Sequence, residues 1–220
     1  MSAATPLAAG RGTTREHIVS HLRDQIVDGS LSPGLPLRTE EFMQRLGVSS
    51  SPLREAFVQL EAEGLVTVSP NRGASVTTLT QRDASDLLQV TALLWDAVVR
   101  WTVPVLDTDQ ATKLRRAAGN FALALRSGDI RGAVLEAERF QSELLLACWS
   151  TELVRSVQAV HSRQQRVLRA LATAETLDPI IDFHEAVLIH AGESSAQAAC
   201  EALREVWRVQ QEALGVLPAQ

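Results

Sequence analysis

The first 80 residues contain three short stretches with the apolar periodicity of a helix and two runs rich in β-branched residues. Few folds accommodate this combination. A four-residue apolar repeat predicts a first helix that begins at Thr13 or Thr14 and ends at Gly29. After a segment of turn-forming Pro and Gly, Phe42 and Leu46 indicate a second and shorter helix. A third helix follows almost at once.

The third helix is predicted to have Ser51 as its N-cap and Pro52 at its first helical position, where a missing N–H costs nothing. Its buried stripe is predicted to be Leu53, Ala56, Phe57 and Leu60. Two β-branched runs then flank the segment 70–73, whose residues favour a turn, and this pattern indicates a hairpin. Three helices followed by a hairpin are the arrangement of a winged helix-turn-helix.

Beyond residue 80 the apolar periodicity is helical throughout and predicts six helices, with breaks rich in turn and capping residues. The buried stripe of the first of them is predicted to be Leu87, Thr91, Leu94, Val98 and Trp101. We therefore expect a mainly α chain. Its parts would be a disordered tail over 1–12, a winged helix-turn-helix with a small β-hairpin wing over 13–79, and an all-α domain over 80–215.

The charge of the chain limits how it could bind a nucleic acid. The net charge is −5, and residues 1–80 contain seven arginines, no lysine and eight acidic residues. A broadly basic domain is therefore excluded. Any DNA site in this part of the chain has to be a local arrangement of arginines and backbone amides.

Other classes of protein are disfavoured by what the sequence lacks. No apolar run approaches the roughly 20 residues of a membrane span, and the opening residues do not resemble a secretory signal, so we expect a soluble, cytoplasmic protein. Cys148 and Cys200 lack the spacing of a zinc or disulfide pair and are expected to be buried thiols. No nucleophile elbow, HExxH, P-loop or dinucleotide motif is present, so we expect no catalytic residues and no enzyme.

Residues 33–76 closely resemble the DNA-binding domain of the GntR family of bacterial transcription regulators. The family's motifs occur here in the family's order: Arg38 after the PG turn, the serine-rich entry Ser49–Pro52, the helix start Leu53–Phe57, the exit Glu63–Val66 and the wing Pro70–Ala74. One departure is Ser50, which stands where many relatives have an arginine that reaches a guanine.

The resemblance and the chemistry of these residues imply the same contacts with operator DNA. The predicted DNA-binding residues are Arg38, Ser49, Ser50, Ser51, Arg54, Arg72 and Gly73. The three serines and the N-terminus of the third helix would bind a phosphate. Arg54 would reach a base edge, Arg38 would clamp the DNA at the start of the preceding helix, and the wing tip would enter the minor groove or contact its phosphates.

Residues 80–212 more distantly resemble the FCD-type effector domain of the FadR-like subfamily, an antiparallel bundle of six or seven helices. Relatives often bind a divalent metal through an aspartate, a histidine four residues later and two histidines on the last two helices. The corresponding positions here are Ala137, Gln141, His184 and Val206, so only one ligand remains and we expect no metal cofactor. The arginine with which relatives hold a carboxylate is replaced by Ala92.

Gln141 and His184 are both predicted on inward stripes, and we name them as candidate effector-binding residues. Two polar groups inside one bundle need partners, which are either a bound ligand or other core groups with or without buried water. Because both anchors for a carboxylate are missing, we expect a less charged or partly apolar effector. The four tryptophans either pack in the core and a dimer interface or stack on a planar ligand.

The resemblance implies a homodimeric, DNA-binding transcription regulator that recognises a pseudo-palindromic operator. We expect a repressor that a small-molecule effector releases from its operator. The alternative is a regulator whose helical domain only dimerises and binds no effector.

Overall fold

The computed structural model describes residues 14–69 and 73–219. The predicted tail over 1–12 and the wing-tip residue Arg72 therefore lie outside the described residues. The chain divides into two compact units between Leu79 and Thr80. Within the described part, none of the helices is long and apolar enough to span a membrane.

The described part of the first unit contains three helices and a small antiparallel sheet. These elements are α1 (Thr14–Val27), β1 (Pro36–Leu37), α2 (Thr39–Leu46), α3 (Ser50–Ala62), β2 (Val66–Ser69) and β3 (Gly73–Val76). The sheet order is β1–β3–β2, with β2 and β3 forming the wing. The predicted winged helix-turn-helix is confirmed. Strand β1 was not predicted, because two residues are too few for an alternating pattern to be visible.

The position of α3 is set by the core and by two polar contacts. Its apolar face lies in the core of the first unit together with residues of α1 and the sheet. Arg23 of α1 donates two hydrogen bonds, of 2.8 and 2.6 Å, to the carboxylate of Glu63 just after α3. The carboxylate of Glu61 accepts a hydrogen bond of 2.8 Å from the backbone N–H of Val68. Helix α3 is thereby attached both to α1 and to the wing.

The start of α3 differs from the prediction. The helix begins at Ser50 with Ser49 as N-cap, so the prediction that Ser51 is the N-cap and Pro52 the first helical residue is wrong. The hydroxyl of Ser51 instead donates to Glu55 Oε1 at 3.1 Å. The physical reason is that none of the first four N–H groups of a helix has an intrahelical partner. A proline is therefore tolerated at several positions of the first turn, and its presence alone does not identify the first residue.

The described part of the second unit is entirely helical, and all six predicted helices are present. They are α4 (Gln81–Thr102), α5 (Thr108–Arg126), α6 (Ile130–Ala147), α7 (Thr151–Leu171), α9 (Pro179–Ile189) and α10 (Gln197–Glu212), with the single turn α8 (Ala174–Leu177) in addition. The side chains of Thr80, Asp107, Asp129 and Ser150 each accept a hydrogen bond from a first-turn N–H, as expected of capping residues in the breaks. The mainly α fold class is confirmed.

The buried face of α4 agrees with the prediction only at Thr91 and Val98. Its buried residues are Ala84, Leu88, Thr91, Trp95, Val98, Val99 and Thr102. Leu87 and Leu94 are only half-buried and Trp101 is exposed, so these three assignments are wrong. Helix α4 carries two neighbouring apolar stripes, and a period of 3.6 residues gives the spacing of a stripe without telling which stripe faces the core.

The two cysteines have different environments. Cys200 is buried, as predicted, whereas Cys148 is only half-buried because it lies at the end of α6, beyond the last buried turn. The prediction of a buried thiol is therefore wrong for Cys148. Both cysteines are free.

Candidate DNA interface and ligand cavity

The outer face of α3 presents the groups that an approaching DNA duplex would meet. Burial of the opposite face leaves Arg54 and Val58, one turn apart, exposed. The first turn of α3 contains no acidic residue, and the N-cap Ser49 makes no side-chain hydrogen bond to it. The first N–H groups of α3 and the positive end of its dipole are thus open to an anion. Ser49 and Ser51 are exposed at this end, and Ser50 is half-buried.

The arginines of the first unit fall into two groups. Arg23 pairs with Glu63, and this hydrogen-bonded contact raises its pKa above the ordinary value. The guanidinium of Arg45 lies 5.4 Å from the centre of the Phe42 ring. In contrast, the exposed side chains of Arg38 and Arg54 form no ion pair or hydrogen bond with residues 14–69 or 73–219. These two arginines keep their donors for another molecule.

Sheet register places Arg38 near the far end of the wing, beside Gly73. Leu37 of β1 pairs with Ala74 of β3, so Arg38, which follows Leu37 and is the N-cap of α2, lies at the end of the sheet where the wing tip begins. Ser69 pairs with Gly73, and this is the last pair of the wing within the described residues. Gly73 has a φ of +73°, in the left-handed region that suits glycine. The predicted role of Arg72 concerns a residue outside the described ranges.

The second unit contains a largely apolar cavity lined by residues of α6 to α10. It offers about 40 Å³ to the centre of a water-sized sphere. Both candidate effector-binding residues, Gln141 and His184, line this cavity. Gln141 is half-buried and lies on the face of α6 that also carries the buried Ala137 and Leu144.

His184 is enclosed by aromatic rings. It is 3% exposed and stacks on Phe140 with 3.8 Å between ring centroids, while Phe121 meets it edge-on at 5.0 Å. Burial lowers the pKa of His184 to about 3, so its imidazole is neutral near pH 7. Its Nδ1 atom has no hydrogen-bond partner among the residues that the structure describes.

Two further polar residues line the cavity: Gln210, which the sequence did not single out, and Trp207, which the sequence indicated only as a packing or ring-stacking residue. Trp207 and Gln210 of α10 are 6% and 4% exposed and line the same cavity as His184. Within the described ranges, Trp207 Nε1 and Gln210 Oε1 have no hydrogen-bond partner. The signal in the sequence was their three-residue spacing, which puts both on one face of α10.

The residues at the family's metal positions do not fit a divalent ion. Ala137 and Val206 line the cavity and carry no donor atom, and the neutral imidazole of His184 is flanked by aromatic rings. Glu138 also lines the cavity, but both of its carboxylate oxygens accept hydrogen bonds from Arg169, at 2.8 and 2.9 Å. Residues 14–69 and 73–219 contain no group of three or more His, Cys, Asp or Glu side chains that could hold a metal.

Two family models match this chain. Residues 14–76 match the model described as bacterial regulatory proteins, gntR family. Residues 86–208 match the model described as the FCD domain. The first match covers the helices α1 to α3 and the wing, and the second covers most of the helical unit that contains the cavity.

The chain is also similar to individual proteins and to solved structures. The chain is 26% identical over 127 residues to the uncharacterized HTH-type transcriptional regulator YdhC of Bacillus subtilis strain 168, which is 58% of this chain and 57% of that protein. It is 24% identical over 185 residues to a probable D-xylose utilization operon transcriptional repressor of Paenarthrobacter nicotinovorans, covering 82% of this chain and 81% of that one. The solved structure of E. coli McbR/YncC has a TM-score of 0.77 at 18% identity, with 93% and 98% of the two chains covered, and shows the fold alone.

The buried, neutral His184 predicts a pH dependence of stability. Below about pH 6.5 the unfolded chain binds a proton at this residue, whereas the folded chain does not until about pH 3. Stability should therefore fall as pH decreases through this window, by roughly 2 kcal/mol between pH 7 and pH 5. Urea unfolding of the wild-type chain and of His184→Gln at both pH values should give a smaller loss for the variant. Equal losses in the two proteins would contradict this.

Proposed function

Because the chain belongs to the GntR family of bacterial regulatory proteins and carries an FCD domain, we propose that it is a homodimeric repressor released from its operator by a small molecule. As a member of this family it is a DNA-binding transcription regulator and not an enzyme. The observation that carries the proposal is the exposed, unpaired Arg54 beside the open N-terminus of α3. The name of the Paenarthrobacter relative supports repression as the direction of control.

We infer that α3 enters the major groove. Its N-terminus, with Ser49, Ser50 and Ser51, would bind a phosphate. Arg54 would make a bidentate contact with a guanine, and the apolar Val58 one turn further could meet a thymine methyl group. Arg38 and Gly73, near the far end of the wing, would lie along the DNA backbone, and Arg72 would reach the adjacent minor groove or its phosphates.

A homodimer is supported by apolar surface on the second unit. The outer stripe of α4 includes Val90 and Leu93, the latter 75% exposed. Near the end of α4, Trp101 stacks on Trp149 with 5.4 Å between ring centroids, and Trp149 is 69% exposed. Exposed apolar stripes of this kind commonly mark an interface. A second copy is the proposed occupant because one recognition helix reads too few base pairs to find a single site in a genome.

The cavity of the helical unit is the proposed effector site, with Gln141 and His184 in its wall and without a metal. An effector can shift operator affinity only by the difference between its affinities for the DNA-bound and free conformations. We infer that it favours the conformation that does not bind DNA. The second candidate, a helical domain that only dimerises, is favoured by the small size of the cavity.

Replacing either proposed DNA-contacting arginine should weaken binding without unfolding the protein. We expect Arg54→Ala to lose roughly 5- to 150-fold in operator affinity for each half-site, because one bidentate base contact is worth about 1–3 kcal/mol. Arg38→Ala should weaken all sequences more uniformly and lower the salt dependence by about one phosphate contact per half-site. Arg155→Ala, an exposed arginine of α7 paired with Glu152, is the control. Fluorescence anisotropy with a selected operator at several salt concentrations would measure the operator affinities. If both variants bound the operator with wild-type affinity, the surface that reads DNA would lie elsewhere.

A charge on the outer stripe of α4 should dissociate the proposed dimer. We expect Leu93→Glu to raise the dimer dissociation constant at least tenfold, because a carboxylate would be buried without a partner. Leu123→Glu changes a leucine of α5 that is also largely exposed and should leave assembly unchanged. Sedimentation velocity from 0.1 to 50 micromolar protein would compare them. A wild-type chain that remains monomeric over this range, or a Leu93→Glu variant that dimerises normally, would refute the α4 interface.

A further inference from the structure

Three residues that line one cavity each carry a buried polar atom without a partner among the described residues, and these atoms indicate the chemistry of its ligand. They are Trp207 Nε1, Gln210 Oε1 and His184 Nδ1, and no other described residue provides a hydrogen bond to any of them. We propose that the cavity binds a small neutral molecule with an apolar body and one polar head, such as an alcohol or a lactam, and that Trp207 and Gln210 together recognise this head. The inference rests on the proposed role of the cavity as the effector site.

The hydrogen-bonding roles of the two α10 groups are complementary. An indole N–H can only donate, and an amide oxygen can only accept. Trp207 and Gln210 are three residues apart on α10 and so face the same side of the helix. A hydroxyl group, or the adjacent C=O and N–H of a lactam, can accept from the indole and donate to the amide oxygen at the same time. A ligand that satisfies both groups therefore needs one hydrogen-bond donor and one acceptor on the same head group.

The charges around the cavity favour a neutral ligand. Among the described residues that line it, Glu138 is the one with an ionised side chain, and Arg169 occupies both of its oxygens. A carboxylate would find no free cation in the wall, and an ammonium group would have to compete with Arg169. His184 is neutral because burial lowers its pKa to about 3. Either kind of ion would therefore lose its hydration without a compensating partner.

The size and lining of the cavity favour a compact apolar body. The walls are formed largely by aliphatic side chains, among them Leu171, Ile180 and Leu203. Thr176 adds little polarity, because its hydroxyl already donates to the carbonyl of Leu171 at 2.8 Å. About 40 Å³ of the cavity is open to the centre of a water molecule, and the free space reaches about 1.4 Å further on each side. That is room for one six-membered ring.

Four ring compounds of the same size test the ligand class on the full-length chain. Cyclohexanol and 2-piperidone are the neutral probes, and cyclohexanecarboxylate and cyclohexylammonium are the charged ones. Titrations followed by protein NMR at pH 7 should show saturable binding of both neutral rings, with dissociation constants at least tenfold lower than those of the charged rings. Addition of EDTA should leave these constants unchanged. Failure of both neutral rings to bind, equally tight binding of a charged ring, or loss of binding with EDTA would overturn the proposal.

Two variants test the recognition of the head group. Trp207→Phe and Gln210→Leu should each weaken cyclohexanol binding roughly three- to tenfold, the effect of one lost hydrogen bond. Gln210→Leu removes a buried oxygen that has no protein partner, so it should fold at least as stably as the wild type. Trp95→Phe is the control, because the Trp95 N–H donates to Gln164 Oε1 at 3.3 Å, away from the cavity lining. Unchanged cyclohexanol affinity in both cavity variants would overturn the assignment.

Operator binding by the unliganded chain separates this inference from the proposed function. A chain that binds its operator tightly but binds neither neutral ring contradicts the ligand class alone. A chain without specific operator binding contradicts the proposed function, whatever the rings do.

Discussion

Burial of one face of α3 is the constraint on which the DNA-binding unit depends. Leu53 and Leu60 are fully enclosed in the core, so the rotation of the helix about its axis is determined and Arg54 and Val58 have to face outward. The contact between Arg23 and Glu63 holds α3 against α1, and Glu61 holds the first strand of the wing. The packing that stabilises the fold therefore also orients Arg54 and Val58, which we propose to contact the DNA.

In the helical unit the decisive feature is a set of buried polar atoms that have no hydrogen-bond partner among the described residues. Such atoms cost stability, because water satisfied them in the unfolded chain. His184 is neutral for the same reason: its pKa falls to about 3 when the imidazole is enclosed by Phe121 and Phe140. A ligand that hydrogen-bonds to these atoms would remove this cost in free energy. Ligand binding would then stabilise the bundle.

Helix number and the winged arrangement could be predicted from the sequence because they depend on local periodicity and turn residues, as in α2 and the hairpin. The buried face of α4 could not, since its two apolar stripes have the same period and only tertiary packing selects between Leu87 and Leu88. His184 was found because one histidine on an apolar stripe is conspicuous. The role of Trp207 and Gln210 could not be inferred from the sequence, because whether a buried polar atom finds a partner depends on how several helices pack around it.

Selection of binding sites from random-sequence DNA by the purified full-length chain tests the central claim most directly. Two α3 helices related by a two-fold axis should enrich an inverted repeat, with the strongest base preference in each half where Arg54 would lie. Enrichment of a single unrepeated half-site, or of no sequence at all, would contradict a dimer that reads operator DNA through α3.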